Sequence, residues 1–154
     1  MGMKVSRDTP LAELTLRKYE KPANMKEREL VKKLCLTVGL LQPGDSRDII
    51  VDVLHALLKQ RKRKKFMSCS EIEQKVIQSR KAHKLPMLGI APSTIRRQLK
   101  RLKDLFIIEK TGNGYRITEF LPLAETYDSK IEKFLLQSIT QRVREYFAKA
   151  DEVF

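Results

Sequence analysis

Residues 90–120 read IAPSTIRRQLKRLKDLFIIEKTGNGYRITEF, and this stretch decides the fold class. Ile95, Leu99, Leu102 and Phe106 fall at 0, +4, +7 and +11, the spacing that lines one narrow stripe of an α-helix. Ser93, Arg97, Lys100 and Arg101 lie opposite that stripe, with Thr94 and Arg96 at its flanks. Pro92 suits the first helical position, where a missing N–H costs nothing, so a helix is predicted over 92–105. Two β-prone runs follow, Phe106–Lys110 and Tyr115–Phe120, on either side of Gly112-Asn113-Gly114. Asn-Gly is a strong hairpin signal, because both central residues of a tight turn then accept positive φ.

Further toward the N-terminus, Ser68-x-x-Glu71 or Ser70-x-x-Glu73 forms a capping box for a helix ending near His83, followed by a loop over 84–92. The segment Arg47–Lys65 reads as one helix, started by Asp45 or Ser46 after a Pro43-Gly44 turn. Its Ile49, Ile50, Val51, Val53, Leu54, Leu57 and Leu58 cover about half the circumference, which predicts a central helix packed on two sides. Leu30, Val31, Leu34, Cys35 and Val38 mark an earlier helix, about Asn24–Val38, ended by Gly39. Thr9-Pro10 starts either a short helix or a strand over Leu11–Lys18.

From Pro122 to Phe154 the pattern predicts one long helix with two apolar stripes. Tyr127, Ile131, Phe134 and Leu135 form the first, expected to pack on the chain's own body. Ile139, Val143, Tyr146 and Ala150, widened by Phe147, form the second. That second stripe needs another surface, and a second copy of the chain supplies it, so a homodimer is expected.

The 154 residues hold 32 Lys+Arg against 19 Asp+Glu, a formal charge of +13, with 42% hydrophobic residues, enough for one modest core. Residues 1–45 carry net +3, residues 46–120 net +11 and residues 121–154 net −1. A strongly basic centre between near-neutral ends points to a polyanion partner. The run KQRKRKK over 59–65 adds six cations, read as an electrostatic tether to phosphates. No stretch is apolar enough to span a membrane, and the first ten residues lack the apolar run of a signal peptide, so a cytoplasmic, nucleoid-associated protein is expected. Gly2 and Ser6 meet the spacing of a myristoylation signal only weakly, and no anchor is expected.

His55 and His83 stand apart from one another and from the cysteines, while Cys35 reads as a core residue and Cys69 as part of a capping loop. Phosphate-cradling and nucleophile-elbow motifs are missing. No catalytic residue, metal or cofactor is therefore expected, and the chain does not read as an enzyme.

Residues 46–120, with their Pro-Ser-Thr helix start, Leu-x-x-Leu stripe, short apolar strand and hairpin, resemble the winged helix-turn-helix superfamily of prokaryotic and archaeal transcription regulators. The resemblance implies a mainly α fold with a small β-hairpin wing: an N-terminal helical extension (1–45), a winged-helix domain (46–120) and a C-terminal dimerisation helix (121–154). It implies that the helix over 92–105 is the recognition helix and that residues 107–119 form the wing. The expected DNA contacts are Ser93, Thr94, Arg96, Arg97, Lys100 and Arg101 on the helix and Lys110, Asn113 and Arg116 on the wing. Arg61, Lys62, Arg63, Lys64 and Lys65 are expected to serve as the tether. Ile139, Val143, Tyr146, Phe147 and Ala150 are the expected dimer contacts. The expected function is sequence-specific double-stranded DNA binding by a homodimeric transcriptional regulator. The alternatives are an RNA-binding or ribonucleoprotein module and an adaptor within a larger nucleoprotein complex.

Overall fold

In the computed structural model, which describes residues 8–87 and 90–154, four helices precede a hairpin. Gly2 and Ser6, and Leu88 and Gly89 of the 84–92 loop, lie outside the described residues. The helices are α1 (Glu27–Thr37), α2 (Ile49–Arg61), α3 (Cys69–Ala82) and α4 (Pro92–Asp104). Strands β1 (Ile108–Thr111) and β2 (Gly114–Ile117) pair antiparallel, with Ile108 opposite Ile117 at the base and Thr111 opposite Gly114 at the tip. A helix then runs without a break through α5 (Leu123–Thr126), a stretch of wide i→i+5 turns over Tyr127–Leu136, and α6 (Gln137–Val153). The chain is thus mainly helical with one small antiparallel sheet.

Of the first four helices, α3 has a side-chain cap at its start. Ser68 Oγ accepts from the Glu71 N–H at 3.1 Å while Glu71 Oε1 accepts from the Ser68 N–H, so the first of the two expected boxes forms. α4 starts at Pro92 with no side-chain cap from Ala91. The helix ends share one device. Gly39 at the end of α1 has φ +74, and the Leu40 and Gly39 N–H groups reach back to Cys35 and Leu36. The same pair of bonds closes α2, α3 and α4 around Lys64, Lys84 and Phe106, whose φ values of 51, 52 and 65 are also left-handed.

α2 is central, as its wide apolar arc predicts: residues Ile49–Leu57 are all buried, and the helix packs on α1, α3, α4 and β2. Val31, Cys35, Leu40 and Leu41 share its core with Ile72, Val76, Ile95, Leu99, Leu102 and Ile117. Met67 adds an isolated antiparallel bridge to Tyr115 beside the two-stranded sheet, a contact that the sequence did not signal. Gly114, with φ +124, fits there because a Cβ would stand 2.7 Å from the Met67 carbonyl oxygen.

Several expectations are corrected. Residues 8–26 form neither helix nor strand but a strap tied across α1, in which the Arg17 N–H donates to Thr37 and its guanidinium to Leu36 and Leu41. α2 ends at Arg61 rather than Lys65. Asp45 does not cap it; its carboxylate accepts from the Gln42 N–H, and the N-cap residue is Asp48. The hairpin turn is Gly112-Asn113, neither with positive φ; the one left-handed glycine there is Gly114, inside β2. Leu30, read as a core residue, is 47% exposed, whereas Arg28 two positions earlier is buried.

Arg28 is buried because a charge cluster holds it. Its Nε and Nη2 donate to Asp52 at 2.9 and 3.0 Å, and Nη2 also to Asp48 at 3.1 Å. From α3, Arg80 Nη1 donates to Asp48 and to Asp52, both at 2.9 Å, and Ser79 Oγ donates to Asp52 at 2.7 Å. Arg80 Nε reaches the Pro86 carbonyl at 2.7 Å, pinning the loop that leads to α4. Burial by itself would raise the Asp48 carboxyl, but hydrogen bonds from Arg80 and Arg28 outweigh it and hold the pKa below the ordinary value. A depressed folded-state pKa stabilises fully above the ordinary carboxylate value of about 4, and that contribution is lost as pH falls through the lower one. In thermal melts from about pH 7 to about pH 3, the stability gap between wild type and Asp48→Asn should therefore close toward the acid end. A gap that stays constant would mean that Asp48 ionisation is not what the cluster uses.

Candidate nucleic-acid interface

α4 meets the core through Ile95, Leu99 and Leu102, all fully buried, and what it turns outward is polar. Ser93, Arg96, Arg97, Lys100, Lys103 and Asp104 are exposed, and Thr94 is half-buried. Lys100 pairs with Asp104 at 2.8 Å, an exposed i,i+4 pair worth only about 0.3–0.5 kcal/mol. Among the described residues, Arg96, Arg97 and Lys103 have no anionic partner. The helix thus gathers a cationic face with free N–H groups at its Ser93 end, which suits phosphate.

Not every expected residue joins that face. Arg101 turns aside: Nη2 donates to the Leu40 carbonyl at 2.7 Å and Nη1 to Gln98 Oε1 at 2.9 Å, tying α4 to the end of α1. On the hairpin, Asn113 is exposed at the tip, and Lys110 is exposed with Nζ 5.5 Å from the Tyr115 ring centre. Arg116 is held: it pairs with Glu109 at 2.6 Å and stacks on the Phe66 and Phe120 rings at 5.0 and 4.9 Å. Those two rings meet edge to face at 5.4 Å, so Arg116 fastens the hairpin base rather than reaching outward.

The basic run lies elsewhere. Met67 pairs antiparallel with Tyr115, so the residues before it run toward Ile117 and Leu121, away from the Asn113 tip. Arg61 confirms the placement, donating to the Leu121 carbonyl at 3.4 Å. Lys62, Arg63, Lys64 and Lys65 are exposed in a closed turn, not a frayed helix end, and stand at the base of the hairpin. The Lys62–Lys65 turn therefore stands at the base of the hairpin, with Lys110 and Asn113 toward its tip.

The buried charge cluster is neutral over the whole chain but not over the basic segment. Within residues 46–120 the buried cluster hides two carboxylates, Asp48 and Asp52, but only one cation, Arg80; its other cation, Arg28, comes from α1. Without those three buried groups the segment keeps 17 cations and 5 anions, net +12. Sequence reasoning missed this cluster because a helix pattern scores Arg28 and Arg80 as solvent-facing. Cys35 is wholly buried, which pushes its thiol up to about 12, and His55 Nε2 lies 3.1 Å from Glu27 Oε2. Among the described residues no group of three or more His, Cys, Asp or Glu has a metal-holding arrangement, and no helix is long and apolar enough to cross a membrane.

Of the first stripe of the long helix, three residues meet the chain's own body while Phe134 stays 58% exposed. Ile131 is buried, Tyr127 and Leu135 pack on the core, and the Phe134 ring meets Phe106 edge-on at 5.9 Å. α6 buries none of its residues. Ile139 is half-buried, Val143, Tyr146, Phe147 and Ala150 are exposed, and Tyr146 and Phe147 retain 73% and 72% of their accessible surface. Comparison with protein-family models, curated proteins and solved structures finds no match to this chain.

Proposed function

We propose that the chain is a winged-helix protein that binds double-stranded DNA as a homodimer, with α4 as recognition helix and the hairpin as wing, and that it regulates transcription. The observation that carries this reading is α4 itself: an apolar stripe wholly consumed by the core, backed by Ser93, Arg96, Arg97, Lys100 and Lys103 facing water. A helix so presented fits the major groove, where Arg bidentate to guanine is the commonest base contact. The order α2, Met67 bridge, α3, α4, hairpin supports the same reading, because the Met67 bridge ties the hairpin to the start of α3 as a wing requires. Duplex DNA is favoured over single-stranded RNA because the outer face of α4 carries no aromatic ring on which a base would stack. Lys110 and Asn113 would meet the adjacent backbone or minor groove.

Selecting bound fragments from random duplex DNA tests the proposal directly. A recovered consensus is expected, and Arg97→Ala should lose about 1–3 kcal/mol on it while relaxing preference at one position. Arg116→Ala, in contrast, should lower thermal stability without changing which sequence is preferred. If the Arg97 variant loses affinity equally for all duplexes, α4 does not read bases. If no duplex is retained at all, the proposal fails.

A further inference from the structure

α6 carries a second regularity beyond its apolar stripe. Leu136, Ile139, Val143, Tyr146, Ala150 and Val153 recur at alternating spacings of three and four, a heptad seam about 27 Å long at ~1.5 Å per residue. One flank of the seam holds Arg142 and Lys149, seven residues apart; the other holds Phe147 and Phe154, also seven apart. Val143, Tyr146, Phe147, Val153 and Phe154 are between 49% and 105% exposed, more apolar surface than an isolated helix leaves in water without a partner. The strap residues Asp8–Ala12 border this groove beside Ile139, Val143 and Tyr146, but Leu11 remains 89% exposed, so the strap leaves the seam open.

We propose that α6 pairs with α6 of a second copy as a parallel, in-register two-stranded coiled coil, with Arg142 and Lys149 of each copy lying over Phe147 and Phe154 of the other. In a parallel coil the residue before one seam position faces the residue five places further along the other helix. Arg142 then meets Phe147 and Lys149 meets Phe154, cation against aromatic face on both sides of the seam. An antiparallel pair sets each flank against its own kind, so Arg142 would face Lys149 along the same edge, like charge on like. The cations stay hydrated at the rim, where Glu145 and Glu152 hold them at 2.9 and 3.1 Å within each copy. The pairing rests on the homodimer in the proposed function and specifies its geometry: both basic bodies at one end of the coil.

Cross-linking in a Cys69→Ser background decides the orientation, since Cys35 is buried. Val153→Cys should oxidise to a disulfide-linked dimer, and a mixture of Ile139→Cys with Val153→Cys chains should give no mixed dimer. The reverse pattern, mixed dimers only, overturns the parallel arrangement. Light scattering on the full chain without nucleic acid should find a dimer at micromolar concentration, at least ten-fold weaker in Val143→Glu, with the variant still folded and melting cooperatively. A monomeric wild type, or a variant that unfolds, overturns the pairing. Neither readout involves DNA, so a dimer that binds no duplex sinks the DNA reading and leaves this one standing.

Discussion

Replacing Arg80 by methionine should cost about 3–5 kcal/mol of folding stability, a large share of the ~5–15 kcal/mol that holds a typical domain together. Arg80 is 2% exposed and donates to both buried carboxylates and to the Pro86 carbonyl. Methionine fills much the same space but leaves Arg28 as the one buried cation among the described residues against Asp48 and Asp52, with half-buried Lys32 at 3.9 Å from Asp48 on the rim, so net negative charge stays in the interior. Removing one partner costs more than the pair contributes, because the remaining charge stays desolvated. The contrast that identifies this cause is the fourfold variant Arg28→Met, Arg80→Met, Asp48→Asn, Asp52→Asn, which should unfold at higher urea than Arg80→Met alone. A loss under about 1 kcal/mol for the single variant would mean that water reaches the cluster and screens it.

The second large effect is electrostatic. A dimer engaging about 6–10 phosphates should lose about 10³–10⁵ in duplex affinity between about 50 and 200 mM salt, because each neutralised phosphate releases condensed counterions. On the proposed binding side the cations without an anionic partner among the described residues include Arg96, Arg97, Lys103, Lys110 and the Lys62–Lys65 turn, each on the surface, and the proposed dimer would double them. Arg61, Arg80, Arg101 and Arg116 are committed inside the fold and should add little to the slope. Fluorescence anisotropy across the salt series gives the slope directly. A flat series removes phosphate contact as the source of binding.

Much of the helical framework was legible because it rests on local chemistry. The Ser68–Glu71 box, Pro92 at the start of α4 and the apolar stripe of that helix each announce themselves within a few residues, and each stands where expected. The helix ends were half legible. Gly39 signals its own left-handed turn, but Lys64, Lys84 and Phe106 adopt the same conformation without glycine, against an intrinsic cost of about 1–2 kcal/mol each. The packing around them must supply that, and packing is not local. The site divides the same way. Arg96 and Arg97 follow from helical periodicity, whereas Arg101 and Arg61 are claimed by backbone carbonyls 61 and 60 residues away, and Arg116 by two aromatic rings. No pattern in the sequence distinguishes a guanidinium that meets water from one that meets a distant carbonyl.

The shared core of α1 and α2 bears on how the gene can be dissected. A change in charge density marks residue 46 as the start of the basic segment, yet the folded chain has no seam there. A fragment begun at that point would surrender Arg28 to the solvent side of the cut and keep both of its aspartates. It would lose Leu40 and Leu41 from the core, and with Leu40 the carbonyl that steadies Arg101. Without the strap, the Leu36 carbonyl of α1 and the Leu41 carbonyl after it would lose the Arg17 guanidinium that covers them. The smallest piece that keeps these bonds intact begins ahead of Arg17 and runs past the hairpin to Leu121, so an expression fragment trimmed to the basic segment is cut through living structure.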